Sequence, residues 1–160
     1  MTIVGRTLPD ERECPALASR ATLRAMPPEL IHTCYRIGDI DRSVAFYEAL
    51  GFEERRRMPI REEAINVFMG LPGDGDRLEL TYNHGVDSYE LGTGYNHIAL
   101  TVDDLDGLLA KLGAEGIEPE KPPYAPGGRE EVGRICFVAD PDNYRIELID
   151  GGAFPTPQDP

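Results

Sequence analysis

The sequence contains an internal repeat, and a chain that repeats itself is expected to build two similar structural units. The stretch from His32 to Phe52 aligns without a gap with the stretch from His97 to Ile117. The matched positions include Asp39/Asp104, Asp41/Asp106, Val44/Leu109, Ala45/Ala110 and Gly51/Gly116. Both copies end in the same way, with Arg-Leu-Glu-Leu at 77–80 and Arg-Ile-Glu-Leu at 145–148. Each half therefore supplies one histidine and one glutamate at corresponding places.

The apolar spacing and the turn residues predict the order strand, helix, three strands in each copy. In the first copy an aspartate at 39 or 41 caps the helix and Gly51 ends it. Its strands are predicted at 30–37, 52–58, 65–70 and 77–82, with breaks at Pro59 and at 72–75. The second copy is predicted to have strands at 96–102, 117–120, 133–139 and 144–149, and a helix at 105–115 that Asp104 caps.

Two such copies predict an α+β fold of two βαβββ modules. A half-sheet of this size has one apolar face and open edges, so the modules are expected to pair, within the chain or across a dimer, into barrel-like half-sheets. Residues 30–94 form the first module with its linker, and residues 95–150 form the second. Residues 1–29 are expected to be an irregular arm that ends at Pro27-Pro28, and residues 151–160 are expected to be a flexible tail.

The net charge of the chain limits the classes of partner that it is expected to bind. The formal net charge is -13, and a phosphate-binding surface needs a basic patch, so neither nucleic acid nor an anionic membrane is an expected partner. An apolar run of the roughly 20 residues that a membrane span needs is missing, as is a secretory signal, and a cytoplasmic location is expected. The odd count of 3 cysteines predicts reduced thiols, with Cys34 and Cys136 buried in strands.

The repeated histidines and glutamates predict a metal site. Side chains alternate along a strand, so His32 and Glu79 can face one concave surface if their strands share a sheet, as can His97 and Glu147. Only 3 histidines occur in the chain, and two of them occupy the same repeat position, which random placement on a solvated surface does not explain. Two imidazoles and two carboxylates without a thiolate suit Ni²⁺, Co²⁺ or Fe²⁺, and Zn²⁺ also fits.

At these residues the chain resembles glyoxalase I (lactoylglutathione lyase), a family of the vicinal oxygen chelate superfamily. The resemblance runs from about Leu30 to Ile149. It includes His32-Thr33 with Arg36, Asp41-Arg42-Ser43 with Phe46-Tyr47, Leu50-Gly51-Phe52, the segments 78–83, 85–87 and 89–93, His97-Ile98-Ala99-Leu100, and Asp140-Pro141-Asp142 with Tyr144. It implies paired βαβββ modules and a homodimer with its active sites at the subunit interface. His32 and Glu79 of one chain would then meet His97 and Glu147 of the other.

The reaction implied by the resemblance is the isomerisation of the methylglyoxal-glutathione hemithioacetal to S-D-lactoylglutathione, which detoxifies methylglyoxal. A glutamate would move a proton from C1 to C2 through a metal-bound enediolate, with Glu147 as the principal base and Glu79 assisting or serving the other hand of the substrate. Arg36 and Asn83 match positions that bind the γ-glutamyl end of glutathione. A histidine as first ligand and the short 70–77 segment imply nickel or cobalt rather than zinc.

The chain departs from many relatives in three places. His84 replaces a tryptophan, and a packing role is favoured for it. The segment 121–134 is longer than usual, with Lys121, Arg129 and Arg134 as candidates to hold the glycine carboxylate of glutathione, and the thiol itself could therefore differ. The arm at 1–29 is also longer than in short bacterial forms.

Three other functions are known on this kind of scaffold. Ring-cleaving (extradiol) dioxygenation by iron and epimerisation of an acyl-CoA are both weakened by Glu79, which adds a fourth ligand. Metal-free sequestration of a drug expects no ligand set, yet all four residues are present.

Overall fold

The computed structural model describes residues 28–130 and 133–151. The predicted arm at 1–29 lies almost entirely outside the described residues, as does the tail beyond residue 151. The elements are β1 (Thr33–Ile37), α1 (Ile40–Ala49), β2 (Glu53–Ile60), β3 (Ala64–Gly70), β4 (Leu78–Asn83), β5 (His97–Val102), α2 (Leu105–Ala114), a 3₁₀ turn (Pro126–Gly128), β6 (Ile135–Ala139) and β7 (Arg145–Asp150). No helix within these ranges is long and apolar enough to cross a membrane.

The strands form two open sheets, one for each copy of the repeat. The first sheet has the order β1-β4-β3-β2 and the second has the order β5-β7-β6. In both sheets the first strand runs parallel to the last strand of its copy, and the remaining pairs are antiparallel. The predicted α+β fold of two repeated modules is confirmed, and the described residues form no closed barrel.

Local sequence signals begin and end the two helices where they were expected. Asp39 caps α1 by accepting a hydrogen bond from the backbone N–H of Arg42 at 2.8 Å, and Asp104 caps α2 by accepting one from Gly107 at 2.9 Å. Gly51 follows α1 with φ of 97° and Gly116 follows α2 with φ of 80°, a left-handed conformation that glycine adopts without steric cost.

The break predicted at Pro59 is wrong. Pro59 lies inside β2, opposite Ile65, and the chain turns at 61–63 instead. Because β2 is the edge strand of its sheet, a residue without an N–H can lie in it without breaking the ladder on its inner side.

The strand predicted at 117–120 does not form. In its place, Glu120 donates its backbone N–H to the carbonyl of Phe137 at 2.8 Å, and Tyr124 forms an isolated bridge with Ile135. The physical reason is the prolines at 119, 122 and 123, which cannot donate to a ladder and fix φ. The second sheet therefore has three strands, with a loosely attached segment along β6.

One hydrophobic core serves both modules, because a single cluster contains residues from both sheets and both helices. Its fully buried members are Ile37, Tyr47, Val67, Met69, Leu78, Leu80, Leu105, Leu112, Cys136, Val138, Ile146 and Leu148. The predicted burial of Cys136 is confirmed.

A turn of the second module also binds the helix of the first. Asp140 accepts a hydrogen bond from the Tyr47 hydroxyl at 2.9 Å. Asp142 accepts from the backbone N–H of Gly38 at 3.0 Å and from the Ser43 hydroxyl at 3.3 Å. Burial raises the pKa of Asp140 to about 6. These contacts fix α1 against the turn that precedes β7.

Candidate metal centre

Each sheet has one buried face and one open face, and the predicted ligands lie on the open faces. Along β1, Tyr35 and Ile37 are buried, whereas Cys34 and Arg36 are exposed. Cys34 pairs with Glu79 across the parallel ladder, which places both side chains on the open face. The predicted burial of Cys34 is therefore wrong, because the alternation of β1 turns this thiol away from the core.

The first module brings its histidine and glutamate together. His32 lies one residue before β1, and its Nε2 atom is 2.9 Å from Oε2 of Glu79. The histidine side chain is 34% exposed and the glutamate 13%. The edge of the imidazole packs on the ring of Phe68, over which the Arg56 guanidinium lies at 4.0 Å from the ring centre.

The second module repeats this arrangement. Nε2 of His97 is 3.1 Å from Oε2 of Glu147, and their side chains are 32% and 12% exposed. The ring of Phe137 packs against the imidazole edge, and the Arg145 guanidinium lies 4.2 Å from the centre of that ring. The sequence repeat is thus also a repeat of geometry, with a phenylalanine that meets the histidine edge to face beside each carboxylate. The two arginines are not repeat-equivalent, because Arg56 belongs to β2 and Arg145 to β7.

The two pairs stay separate within one chain. The described residues contain no group of three or more histidine, cysteine, aspartate or glutamate side chains placed to hold a metal ion. Each module therefore offers two ligand atoms, which is half of the predicted set. The sequence left open whether the ligands come from one chain or two, and one chain alone does not bring all four together.

Both pairs have the donor chemistry that a divalent cation needs. Each pair places a histidine nitrogen next to a glutamate oxygen, and both atoms are ligands that such cations accept. The Nδ1 atom of His97 also hydrogen-bonds to Oδ1 of Asn96. Asn96 is held in turn by Arg145, whose Nη1 donates to the same oxygen at 3.0 Å. Such outer contacts orient histidine ligands in metal sites.

The two glutamates differ in their neighbours. Asn66 donates its amide N–H to Oε1 of Glu79 at 2.6 Å, and the Thr81 hydroxyl lies 3.2 Å from that oxygen. Cys34 lies 3.3 Å from Thr81, and partial desolvation of its sulfur on the face of the sheet holds the pKa of the thiol above the ordinary value. Among the described residues, His97 alone contacts the carboxylate of Glu147 through a hydrogen bond or ion pair.

The predicted substrate contacts lie on the first module. Arg36 is exposed on β1 and lines a cleft of about 370 Å³ together with Tyr89. Asn83, at the end of β4, donates its side-chain N–H to the Tyr89 hydroxyl at 2.8 Å. Tyr89 therefore contacts Asn83 and lines the cleft that Arg36 also lines.

The remaining candidates are placed less favourably. Arg134 is already paired with Asp106 at 3.1 Å and with Asp150 at 2.8 Å, whereas Lys121 and Arg129 are exposed. The ring of His84 is exposed and meets the ring of Tyr82 edge to face at 5.6 Å, a packing contact.

Sequence reasoning missed the residues that surround the ligands. Asn66, Asn96, Phe68 and Phe137 were not singled out, although the two phenylalanines occupy equivalent positions, each directly opposite the glutamate of its module. Once the strand register is known, the repeat identifies both phenylalanines. Asn66 and Asn96 have no counterpart in the repeat that would have marked them.

Comparison with protein families gives one clear match. The model of the glyoxalase/bleomycin resistance protein/dioxygenase superfamily matches residues 29–148. This range contains both modules and all four predicted ligands.

Comparison with curated proteins finds enzymes of one kind. The chain is 40% identical to the lactoylglutathione lyase of Haemophilus influenzae, over 76% of this chain and 92% of the relative. It is also 40% identical to the lactoylglutathione lyase GLX1 of Arabidopsis thaliana, over 79% of this chain but 46% of the relative. The chain spans less than half the length of the plant relatives that it matches.

Comparison with solved structures finds the same fold. The trypanothione-dependent glyoxalase I of Leishmania major superposes with a TM-score of 0.65 and is 35% identical. The match covers 78% of this chain and 87% of that structure.

Proposed function

The chain belongs to the glyoxalase/bleomycin resistance protein/dioxygenase superfamily, and from that premise we propose that it is a glyoxalase I, or lactoylglutathione lyase. It isomerises the hemithioacetal of methylglyoxal and glutathione to S-D-lactoylglutathione and so detoxifies methylglyoxal. The observation that carries the proposal is the pair of matching histidine and glutamate contacts, at 2.9 Å and 3.1 Å, in repeat-equivalent positions. The identity to lactoylglutathione lyases supports it.

The proposed cofactor is one divalent metal per site, held by His32, Glu79, His97 and Glu147. Imidazole nitrogens and carboxylate oxygens without thiolates suit Ni²⁺ or Co²⁺, and Zn²⁺ also fits. The closeness of a histidine nitrogen to a glutamate oxygen in each pair supports this assignment.

The proposed assembly is a homodimer in which the first pair of one chain meets the second pair of the other. The lack of any group of three ligands within the described part of one chain supports this arrangement.

Glu147 is the group that moves the proton. It takes the proton from C1 of the substrate and returns it to C2, and a positioned base of this kind contributes roughly 10²- to 10⁴-fold in rate. Its side chain is 12% exposed, and Ile149 lies two residues further along the same strand, on the same face. Bound metal supplies Lewis-acid stabilisation of negative charge on the substrate oxygens. Glu79 and the two histidines orient that charge relative to Glu147.

Arg36 and Asn83 bind the thiol part of the substrate. The guanidinium and the amide carry donors that suit the charged γ-glutamyl end of glutathione. The whole chain has a net charge of -13, which repels an anionic thiol adduct at long range, so a local cation such as Arg36 is needed.

The decisive experiment is an assay of metal-free protein reloaded separately with Ni²⁺, Co²⁺, Zn²⁺ and Fe²⁺. The assay follows thioester formation from methylglyoxal with glutathione, and with trypanothione in a parallel series. We expect activity to return with Ni²⁺ or Co²⁺ and glutathione. Absence of activity with every metal and both thiols would refute the proposed reaction.

The other reactions on this scaffold have less support. The dioxygenase and epimerase alternatives do not explain the second glutamate, and metal-free sequestration does not explain either pair. A cytoplasmic location is part of the proposal and is checked by cell fractionation. One plant relative is named chloroplastic, so the location is not common to all relatives.

A further inference from the structure

The carboxylate of Glu79 is held at one oxygen and open at the other. Its Oε1 accepts the amide N–H of Asn66 at 2.6 Å, which is short for an N–H to oxygen hydrogen bond, as charge-assisted bonds are. Its Oε2 faces His32 at 2.9 Å. The hydrogen bond therefore fixes the rotation of the carboxylate and presents Oε2 on the side where the metal is proposed.

Asn66 is itself held in this orientation. The Thr81 hydroxyl lies 3.2 Å from both Oδ1 of Asn66 and Oε1 of Glu79 and can donate to either, and the Cys34 thiol lies 3.3 Å from the Thr81 oxygen. The carboxylate oxygen accepts from Asn66, so the N–H₂ side of the amide faces Glu79 and its carbonyl side faces Thr81. The result is a cluster of hydrogen-bonding groups, Asn66, Thr81 and Cys34, on the Oε1 side of Glu79.

In the second module, the positions equivalent to Asn66, Thr81 and Cys34 are all occupied by aliphatic residues. Asn66 pairs with Thr81 in the first sheet, and Ile135 pairs with Ile149 at the equivalent place in the second. Likewise, Ala99 stands opposite Glu147 where Cys34 stands opposite Glu79. None of these aliphatic side chains can donate a hydrogen bond, so the same backbone geometry leaves the Glu147 carboxylate unrestrained from these positions.

We propose that Asn66 is a positioning residue that fixes Glu79 as a permanent ligand, while Ile135, at the equivalent position, leaves Glu147 free to move between ligand and base. A base that takes a proton from one carbon and returns it to the neighbouring carbon must change position during turnover. A carboxylate that only binds the metal is more effective when it is immobile. This inference rests on the proposed function, and it explains why two equivalent glutamates have different tasks.

The test exchanges the two residues. Asn66→Ile removes the donor from Glu79, and Ile135→Asn places a donor beside Glu147. Asn66→Ala repeats the first change without added bulk, and Ile135→Ala controls for the lost volume in the second. Circular dichroism and thermal unfolding check that each variant is folded. The readouts are the dissociation constant for Ni²⁺, measured by calorimetry on metal-free protein, and kcat at saturating metal.

The expected result is a crossed pattern. Loss of an outer contact to a ligand costs about 10- to 100-fold in metal affinity, so both Asn66 variants should raise the dissociation constant by that factor and change kcat by less than about 3-fold. Ile135→Asn should leave the dissociation constant within about 2-fold and lower kcat by about 10-fold or more, because it restrains the base. Ile135→Ala should not reproduce that loss. A general loss of stability would not separate the two readouts in this way.

Other outcomes overturn the inference. If Asn66→Ala and Asn66→Ile both bind Ni²⁺ within 2-fold of the unchanged protein, Asn66 does not position Glu79. If Ile135→Asn keeps full kcat, the freedom of Glu147 is not set at this position. If the unchanged protein binds Ni²⁺ but shows no isomerase activity, the proposed function fails while the affinity measurement still decides the role of Asn66.

Discussion

The first module surrounds its glutamate with polar side chains, whereas the second surrounds its glutamate with aliphatic ones. The predicted ligand positions and the phenylalanine beside each histidine are the same in both, whereas the arginine over the phenylalanine comes from β2 in the first module and from β7 in the second. The differences lie in the next layer, at Asn66 against Ile135 and Thr81 against Ile149. A duplicated unit can thus preserve the geometry of a site and still assign different tasks to its two copies.

The modules also differ in the turn that leads into their last strand. In the first module this turn is exposed. The backbone N–H of Gly75 donates to Asp74 and Arg77 pairs with it at 2.9 Å, and together they hold the pKa of that carboxyl below its usual value. In the second module the corresponding turn is buried against α1 through Asp140 and Asp142. The second copy has therefore taken on the contact that joins the modules.

The largest expected effect separates the two glutamates. Glu147→Gln keeps the shape of the side chain but removes the base, so turnover should fall by roughly 10²- to 10⁴-fold with the fold intact. Glu79→Gln should lower kcat at saturating metal much less and weaken metal binding instead. Steady-state kinetics and metal titration of both variants check this. Equal kcat losses in the two variants would mean that the modules do not differ in role.

The next effect tests whether both histidines are ligands. His97→Ala and His32→Ala should each weaken metal binding by at least about 100-fold, more than the loss expected for an outer contact. Elemental analysis after dialysis measures the bound metal. His84→Ala is the matched control, since its exposed ring contacts Tyr82 and neither pair. Full metal content in either ligand variant would remove that module from the site.

The buried turn of the second module predicts a pH effect on stability. Asp140 has a pKa of about 6 in the folded protein, against 3.8 when it is exposed. Its contribution to folding stability is therefore fully present below about pH 3.8 and is lost as the pH rises through 6. Asp140→Asn imitates the protonated acid and removes the loss, worth roughly 2–3 kcal/mol. Urea unfolding at pH 4.5 and pH 7.5 should show the variant gaining stability relative to the unchanged protein at the higher pH. An equal difference at both values would contradict this.

The smallest effect concerns the edges of the two sheets. Amides of β2 that bond to β3 should exchange with solvent at least about 10-fold more slowly than those of Glu118 and Lys121, which make no backbone hydrogen bond within the described residues. The amides of Ile117, Glu120 and Tyr124 are expected to be protected, because their N–H groups are bonded. Hydrogen exchange measured residue by residue checks this. Uniform protection across 117–124 would show that a fourth strand forms.

Features that depend on near neighbours were predictable from the sequence. The caps at Asp39 and Asp104 and the glycines that end both helices act within one helical turn, and the structure has them where the pattern placed them. The pairing of each histidine with the glutamate of its own module followed from the repeat, because strand alternation fixes which face a side chain occupies.

Features that depend on register or on strand position were not predictable. The bond between Asn66 and Glu79 requires knowing which residues stand opposite each other in β3 and β4. Pro59 was misjudged because local sequence does not distinguish an edge strand from a central one. The wrong prediction of a strand at 117–120 had a different cause. The prolines are evident in the sequence, but the prediction followed the repeat instead of them. The described part of one chain does not bring the four predicted ligands together, so their meeting place could not be predicted from one sequence.

The separation of the ligands into two pairs has a genetic consequence in the proposed homodimer. A variant whose first pair is inactivated and a variant whose second pair is inactivated each form an inactive homodimer. In a heterodimer of the two variants, one site contains both inactivated pairs and the other site contains both intact pairs. Two inactive alleles should therefore complement each other.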